Sequence, residues 1–155
     1  VTDVRVMFVD TYVLRPAGRG FEVLALQRGP GGRCPGSWET VHGTIERGET
    51  PVQASQREMR EETGLVPERL YNVSRVEAFY QHRTDEVALI PAFAAFVAAG
   101  AAPRLSAEHV AFDWIPLADA ARRFAWPREH RAVADILSIL GGGDGGLLDD
   151  VLRVC

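Results

Sequence analysis

The stretch from Thr50 to Gly64 constrains this chain more than any other, because it carries the start, body and stop of one helix. Thr50 is placed to cap the N-terminus, Pro51 suits the first helical position, and Gln53 stands where it closes a capping box. Gly64 supplies the left-handed residue that ends a helix. The signals predict a helix over Thr50–Thr63. Within it Glu58, Glu61 and Glu62 fall at i, i+3 and i+4 and share one face. Like charges at that spacing cost an isolated helix roughly 0.2–0.5 kcal/mol per pair. A hard cation with oxygen ligands turns that repulsion into a binding site. The bland alternative is a solvated acidic face flanked by Arg57 and Arg60. The frame favours the site: a glycine-bearing loop feeds the helix and a glycine closes it, an arrangement able to hold metal and phosphate together.

The other elements follow from apolar alternation and turn residues. Val4–Leu14 reads as one strand, Arg15–Gly20 as a turn, and Phe21–Gln27 as the returning strand of a hairpin. Gly29–Gly36 holds four Gly and two Pro and is a loop. Trp38–His42 reads as a short strand. Tyr71–Tyr80 and Val87–Val97 read as two longer ones, joined through His82–Glu86. Ala111–Ile115 is a further strand, Leu117–Phe124 a short helix, and Pro127–Leu140 a second long helix with Val133, Ile136, Leu137 and Leu140 at helical spacing. Gly141–Gly146 reads as a flexible linker and Leu147–Cys155 as a tail that either docks as a helical turn or stays loose. The expected division is a domain over 1–140 and a Gly-rich linker with tail over 141–155. Strands, helix, strands, helices is the order of an α+β or mixed α/β fold.

At 155 residues the chain suits one domain. Its net charge of -4 leaves no basic footprint for nucleic acid, so an anionic substrate needs local cations, most simply a metal. Two isolated cysteines, Cys34 and Cys155, make no disulfide framework, and no apolar run reaches the ~18 residues of a membrane span. The N-terminus, starting at Val1, lacks the order of a signal peptide. A cytoplasmic setting, with no nucleic-acid or membrane partner, is the expectation.

The spacing around the acidic helix then acquires a family. Gly43, five residues, Glu49, seven residues, then Arg57-Glu58-Met59-Arg60-Glu61-Glu62-Thr63-Gly64-Leu65 resembles the Nudix box at every fixed position, with Met59 and Leu65 in its apolar slots. The match covers 23 of 155 residues, and the element order outside it is similar to the Nudix α/β/α sandwich with a mixed central sheet. The resemblance implies that Glu58, Glu61 and Glu62 ligate Mg²⁺, with Mn²⁺ as a substitute, and that one of them deprotonates water. It further implies that Arg57 orients Glu49 or another carboxylate, and that the Gly43 carbonyl adds a ligand. The implied reaction is hydrolysis of a diphosphate linkage in a small nucleotide-like molecule, without nucleic acid or membrane. A homodimer is compatible with such a chain.

Ala107-Glu-His-Val-Ala-Phe-Asp-Trp-Ile115 resembles a stretch of the dihydroneopterin triphosphate pyrophosphatases, which makes Glu108 a fourth metal ligand or base, against the alternative of an exposed loop acid. Leu24–Arg28 and Ser37–Gly43 look like the same branch. Arg28 is then a phosphate contact or a surface arginine, and Trp38 stacks on a ring or plugs the core. His42 stands where that branch has Thr, and the loop Gln81–Glu86 carries two acids where it is more basic. The main expectation is a pyrophosphohydrolase releasing a monophosphate and pyrophosphate from a nucleoside or dihydroneopterin triphosphate. The alternatives are an ADP-sugar hydrolase, a dinucleoside polyphosphate hydrolase and a non-catalytic nucleotide-binding regulator. Gln81 stands where ADP-sugar members carry proline, and Tyr80 lies near a tyrosine of the dinucleoside polyphosphate members.

Overall fold

The computed structural model describes Val1–Cys155. It forms one mixed sheet of eight strands, β1 (Asp3–Val6), β2 (Phe8–Ala17), β3 (Gly20–Arg28), β4 (Trp38–Glu39), β5 (Val41–Thr44), β6 (Arg69–Gln81), β7 (Glu86–Phe96) and β8 (His109–Pro116). The helices are α1 (Pro51–Thr63), α2 (Pro127–Leu140) and the short α3 (Asp149–Leu152). Successive side chains on a strand point to opposite faces. On β7, Phe93 and Ala95 therefore pack with Met59 and Ala54 of α1, while Ala92, Ala94 and Phe96 pack with Val133, Ile136 and Leu140 of α2. Both sheet faces are buried, α1 on one side, α2 and α3 on the other. This is an α/β/α sandwich with a mixed sheet. No helix is long and apolar enough to cross a membrane.

The sheet contains a fork that positions the site. β2 and β3 pair only near their hairpin, from Leu14 with Val23 to Ala17 with Gly20. Beyond it they part, and the segment 38–44 is wedged between them. Its first half, β4, pairs with Leu26 and Gln27 of β3, and its second half, β5, pairs with Phe8–Thr11 of β2. Thr40, at the switch, donates through Oγ1 to Thr11 O at 2.7 Å and through its N–H to Glu129 Oε2 of α2 at 2.7 Å. The loop from β3 to β4 is closed at its neck, where Arg28 N donates to Ser37 O and Gly36 N donates to Arg28 O, both at 2.9 Å. On the outer side of β3, β8 carries one extra residue, Val110, opposite the Gln27–Arg28 step, so that Arg28 pairs with His109. A bulge of this kind re-aims the side chains beside it.

Two sequence expectations change in detail, and the tail takes the first of its two expected forms. Val4–Leu14 is two strands: Val6 pairs with Leu89 but Asp10 with Ala92, so three residues on one side oppose two on the other. β6 also slips register opposite the same place, between Asn72 and Val76. Both irregularities lie beside Pro91 of β7, which has no N–H to donate to a ladder. The short helix expected over Leu117–Phe124 is a 3-10 turn ending at Arg122. The tail after Gly146 lies against β6: Leu152 is buried, Tyr71 donates to Asp149 at 2.8 Å, and Val154 N donates to Leu70 O at 2.8 Å.

Candidate active site

The site is built outward from α1. Thr50 Oγ1 accepts from Gln53 N at 3.2 Å, Gln53 Oε1 accepts from Thr50 N at 2.9 Å, and Gly64 ends the helix at φ +70° with its N–H on Arg60 O. β5 delivers Gly43 against the helix so closely that a Cβ there would occupy the Glu58 carboxyl position. Only glycine lets that backbone approach the acid. The loop between β5 and α1 is tied by Glu49, which accepts from Glu46 N at 2.8 Å.

Arg57 organises the acidic face. Its Nε and Nη2 grip both oxygens of Glu49 at 2.7 and 2.9 Å, Nη2 also donates to Thr44 O at 2.9 Å, and Nη1 reaches Glu58 at 2.9 Å and Glu61 at 3.1 Å. The bidentate grip holds the loop to the helix while Nη1 holds two acids. Glu61 remains more than half exposed, Glu58 is half-buried, and Glu62 is only 3% exposed. Burial, then the charges of Glu108, Glu58 and Glu39, push the Glu62 carboxyl up to about 10. Burial also raises Glu58, against the pull of Arg57. Carboxyls crowded to this degree favour a proton or a cation among them.

Glu108, just ahead of β8, closes the other wall. Together with Arg28, Arg33, Gly43, Thr44 and Glu58 it lines a groove without a single apolar side chain. Arg28, Arg33 and His42 continue from that groove into a second pocket walled by Phe8, Phe79 and Trp126. Phe79 and Trp126 meet edge to face with centroids 6.4 Å apart, and Phe8 lies 5.1 Å from the His42 ring. The floor is ionic. His42 Nδ1 lies 2.7 Å from Asp10 Oδ1, and Arg128 Nε donates to Asp10 Oδ2 at 2.7 Å. Burial alone would raise the Asp10 carboxyl, but His42 and the Arg128 guanidinium outweigh it and hold it below the ordinary range.

A loop–helix frame with these acids, joined to this sandwich, matches the NUDIX domain over residues 5–136. The chain belongs to the NUDIX domain family. It is 37% identical over 122 residues to the octanoyltransferase of Myxococcus xanthus, a match covering 74% of this chain and 32% of that protein. The chain thus spans about a third of the length of that curated relative. Among solved structures, a C. elegans Ap4A hydrolase in binary complex superposes with a TM-score of 0.72 at 22% identity, covering 92% of this chain and 99% of that one. The E. coli dihydroneopterin triphosphate pyrophosphohydrolase superposes with a TM-score of 0.71 at 22% identity, covering 87% of this chain and 94% of that one. These likenesses establish the fold.

In this NUDIX domain the structure brings Gly43, Glu58 and Glu108 together in one groove, with Glu62 beside Glu108 and with Arg57 joining Glu58 to Glu61. Arg28 lies beside them, but its Nε is spent on Arg33 O at 2.6 Å and its Nη1 on Glu39 at 2.8 Å, so Nη2 is the part left for a ligand. His42 lines both groove and pocket. Trp38 does not join them: it packs on the α2-side core with the Arg123 guanidinium 4.7 Å over its ring. Tyr80 also stays apart, exposed on β6 with its hydroxyl on Asp85 at 3.0 Å, and its neighbour Phe79 on the opposite strand face lines the pocket instead. Residues to which the sequence assigned no role supply the rest: Glu39 and His109, which lie inside the resembling stretches, and Asp10, Trp126 and Arg128, which lie in no motif. A buried acid in the apolar run Val9–Leu14 was the one available signal among them.

Proposed function

We propose that this NUDIX domain is a Mg²⁺-dependent pyrophosphohydrolase acting on a substrate with one ring and a phosphate chain, in first place a nucleoside or dihydroneopterin triphosphate. One observation carries the reading: the acidic groove and the aromatic pocket are continuous through Arg28, Arg33 and His42. A ring held against the exposed edges of Phe79 and Trp126 lays its phosphates along the groove toward Glu58 and Glu108. Arg128 and His42, both held by the buried Asp10, offer hydrogen-bonding groups to a polar ring edge.

The residues present fit the metal. Glu58, Glu61, Glu62, Glu108 and the Gly43 carbonyl are oxygen donors, the set Mg²⁺ prefers and Mn²⁺ accepts. Bound there, the ion supplies charge neutralisation on phosphate oxygens and a more acidic water. The chain's own part is positional. Arg57 keeps Glu58 and Glu61 facing the groove, Gly43 lets the strand backbone reach the same point, and Arg28 and Arg33 face the phosphate chain from the opposite wall. Water attack on a phosphorus of the triphosphate gives the monophosphate and pyrophosphate, with the proton taken by a groove carboxylate.

A second reading, a dinucleoside polyphosphate, is favoured by the likeness to the C. elegans Ap4A hydrolase, which superposes over 92% of this chain. A panel of dihydroneopterin triphosphate, the four dNTPs, ADP-ribose and a dinucleoside polyphosphate, incubated with Mg²⁺ and resolved by chromatography, separates these readings. The expected result is one preferred triphosphate with release of pyrophosphate, and a KM at least tenfold higher in Phe79→Ala with little change in kcat (~1.4 kcal/mol of ring binding). Binding of a nucleotide without any product from the whole panel would replace the enzyme with a nucleotide-binding regulator.

A further inference from the structure

His109 sits at the acidic cluster in the arrangement of a metal ligand. An oxygen from Glu62, an oxygen from Glu108 and a ring nitrogen from His109 lie within 4.8 Å of one another. His109 is 4% exposed, so its ring nitrogens must find partners inside the protein. Nε2 has one, Glu39 Oε1 at 3.0 Å. Glu39 is itself fixed by Arg28 Nη1 at 2.8 Å, so it serves as the acceptor and Nε2 carries the hydrogen. Nδ1 is buried with no hydrogen-bond partner at all. In the neutral ring this is the bare nitrogen, a lone pair with nothing to accept from. Metal-binding histidines commonly keep one nitrogen on a carboxylate and give the other to the ion, and the Nε2–Glu39 bond leaves Nδ1 free for that role. The bulge at Val110 is the local device that sets His109 opposite Arg28, beside Glu39.

We propose that Glu62, Glu108 and His109 form a mixed nitrogen–oxygen site for a divalent transition-metal ion, with Glu39 and Arg28 orienting the imidazole. The proposal rests on the reading of Glu62 and Glu108 as metal ligands and adds the nitrogen. Imidazole suits first-row transition ions better than Mg²⁺, which strongly prefers oxygen. The nitrogen therefore shifts the site's preference away from Mg²⁺, and Mn²⁺ serves as the spectroscopic probe.

Mn²⁺ bound to the full chain tests this without substrate. Titration followed by electron paramagnetic resonance gives affinity, and electron spin-echo modulation reads directly coordinated ¹⁴N. The expected result is ¹⁴N modulation in the unmodified protein, altered when the chain is labelled with ¹⁵N-histidine and abolished in His109→Gln. In that variant Mn²⁺ affinity falls about tenfold or more while Mg²⁺ affinity changes less. The labelling comparison needs no variant, so a misfolded His109→Gln does not spare the proposal. Mn²⁺ bound without ¹⁴N modulation would overturn it and leave the oxygen-ligand reading standing. Absence of Mn²⁺ binding would overturn both.

Discussion

Glu62 is the residue in which chemistry and stability pull apart most clearly. Buried beside Glu108, Glu58 and Glu39, it is costly as an anion unless a cation shares the space. Glu62→Gln is expected to lower turnover by several orders of magnitude while leaving the metal-free melting temperature unchanged or higher. Steady-state kinetics and thermal denaturation in EDTA check the two halves separately. Asp10 behaves in the opposite way. It neutralises Arg128, whose side chain is 12% exposed, so Asp10→Asn strands a largely buried cation and costs about 3 kcal/mol by urea unfolding. Both acids are buried, yet only one was legible in sequence. Glu62 belongs to a local spacing that a helix converts directly into geometry. Asp10 meets Arg128 across 118 residues and Glu39 meets His109 across 70, and no local pattern encodes such partners.

Among the elements, α1 was readable because everything that starts and stops it lies within its own fifteen residues, Thr50 to Gly64. The observed cap, capping box and left-handed terminus are those the residues dictate. Gly64→Ala places a Cβ at φ +70° and 3.3 Å from Arg104 Nε, a loss of about 1 kcal/mol in chemical denaturation. Thr50→Ala is expected to cost a similar ~1 kcal/mol through the orphaned Gln53 N–H. The strands were less readable at their interruptions. The break near Met7 lies opposite Pro91, a residue of another strand, and the apolar run Val4–Leu14 gave no hint of it. Trp38 and Tyr80 likewise stood in plausible strands. Which side each presents depends on register, and one residue of register exchanges the faces.

For the molecule as a whole, the buried carboxyls set the pH response. Asp10 and Glu39 are held below their ordinary values of 3.8 and 4.5. Their stabilisation is complete above those values and is lost as pH falls through the lower folded ones. Glu129 and Glu62 are pushed up, to about 8 and about 10, chiefly by burial. Their stabilisation is complete below 4.5 and is lost as pH rises toward those folded values. Melting temperature in EDTA is therefore expected to peak near pH ~5 and decline toward pH ~8. Saturating Mg²⁺ flattens the alkaline side by binding Glu62 as an anion. A melting temperature that rises steadily from pH 5 to 8 in EDTA would contradict this assignment of burial.

The closed neck of the loop between β3 and β4 has a consequence for how such a domain diversifies. Its two ends are laced together at Arg28, Gly36 and Ser37, while Arg33 within it reaches the polar groove. Lengthening a loop whose ends are already joined adds little entropy cost, about 0.6 kcal/mol per doubling. Insertions at Gly31–Gly32 can thus remodel what the groove accepts while α1 and β5 stay where they are. Selection acting on that one loop can explore new ligands without reopening the question of how the metal is held.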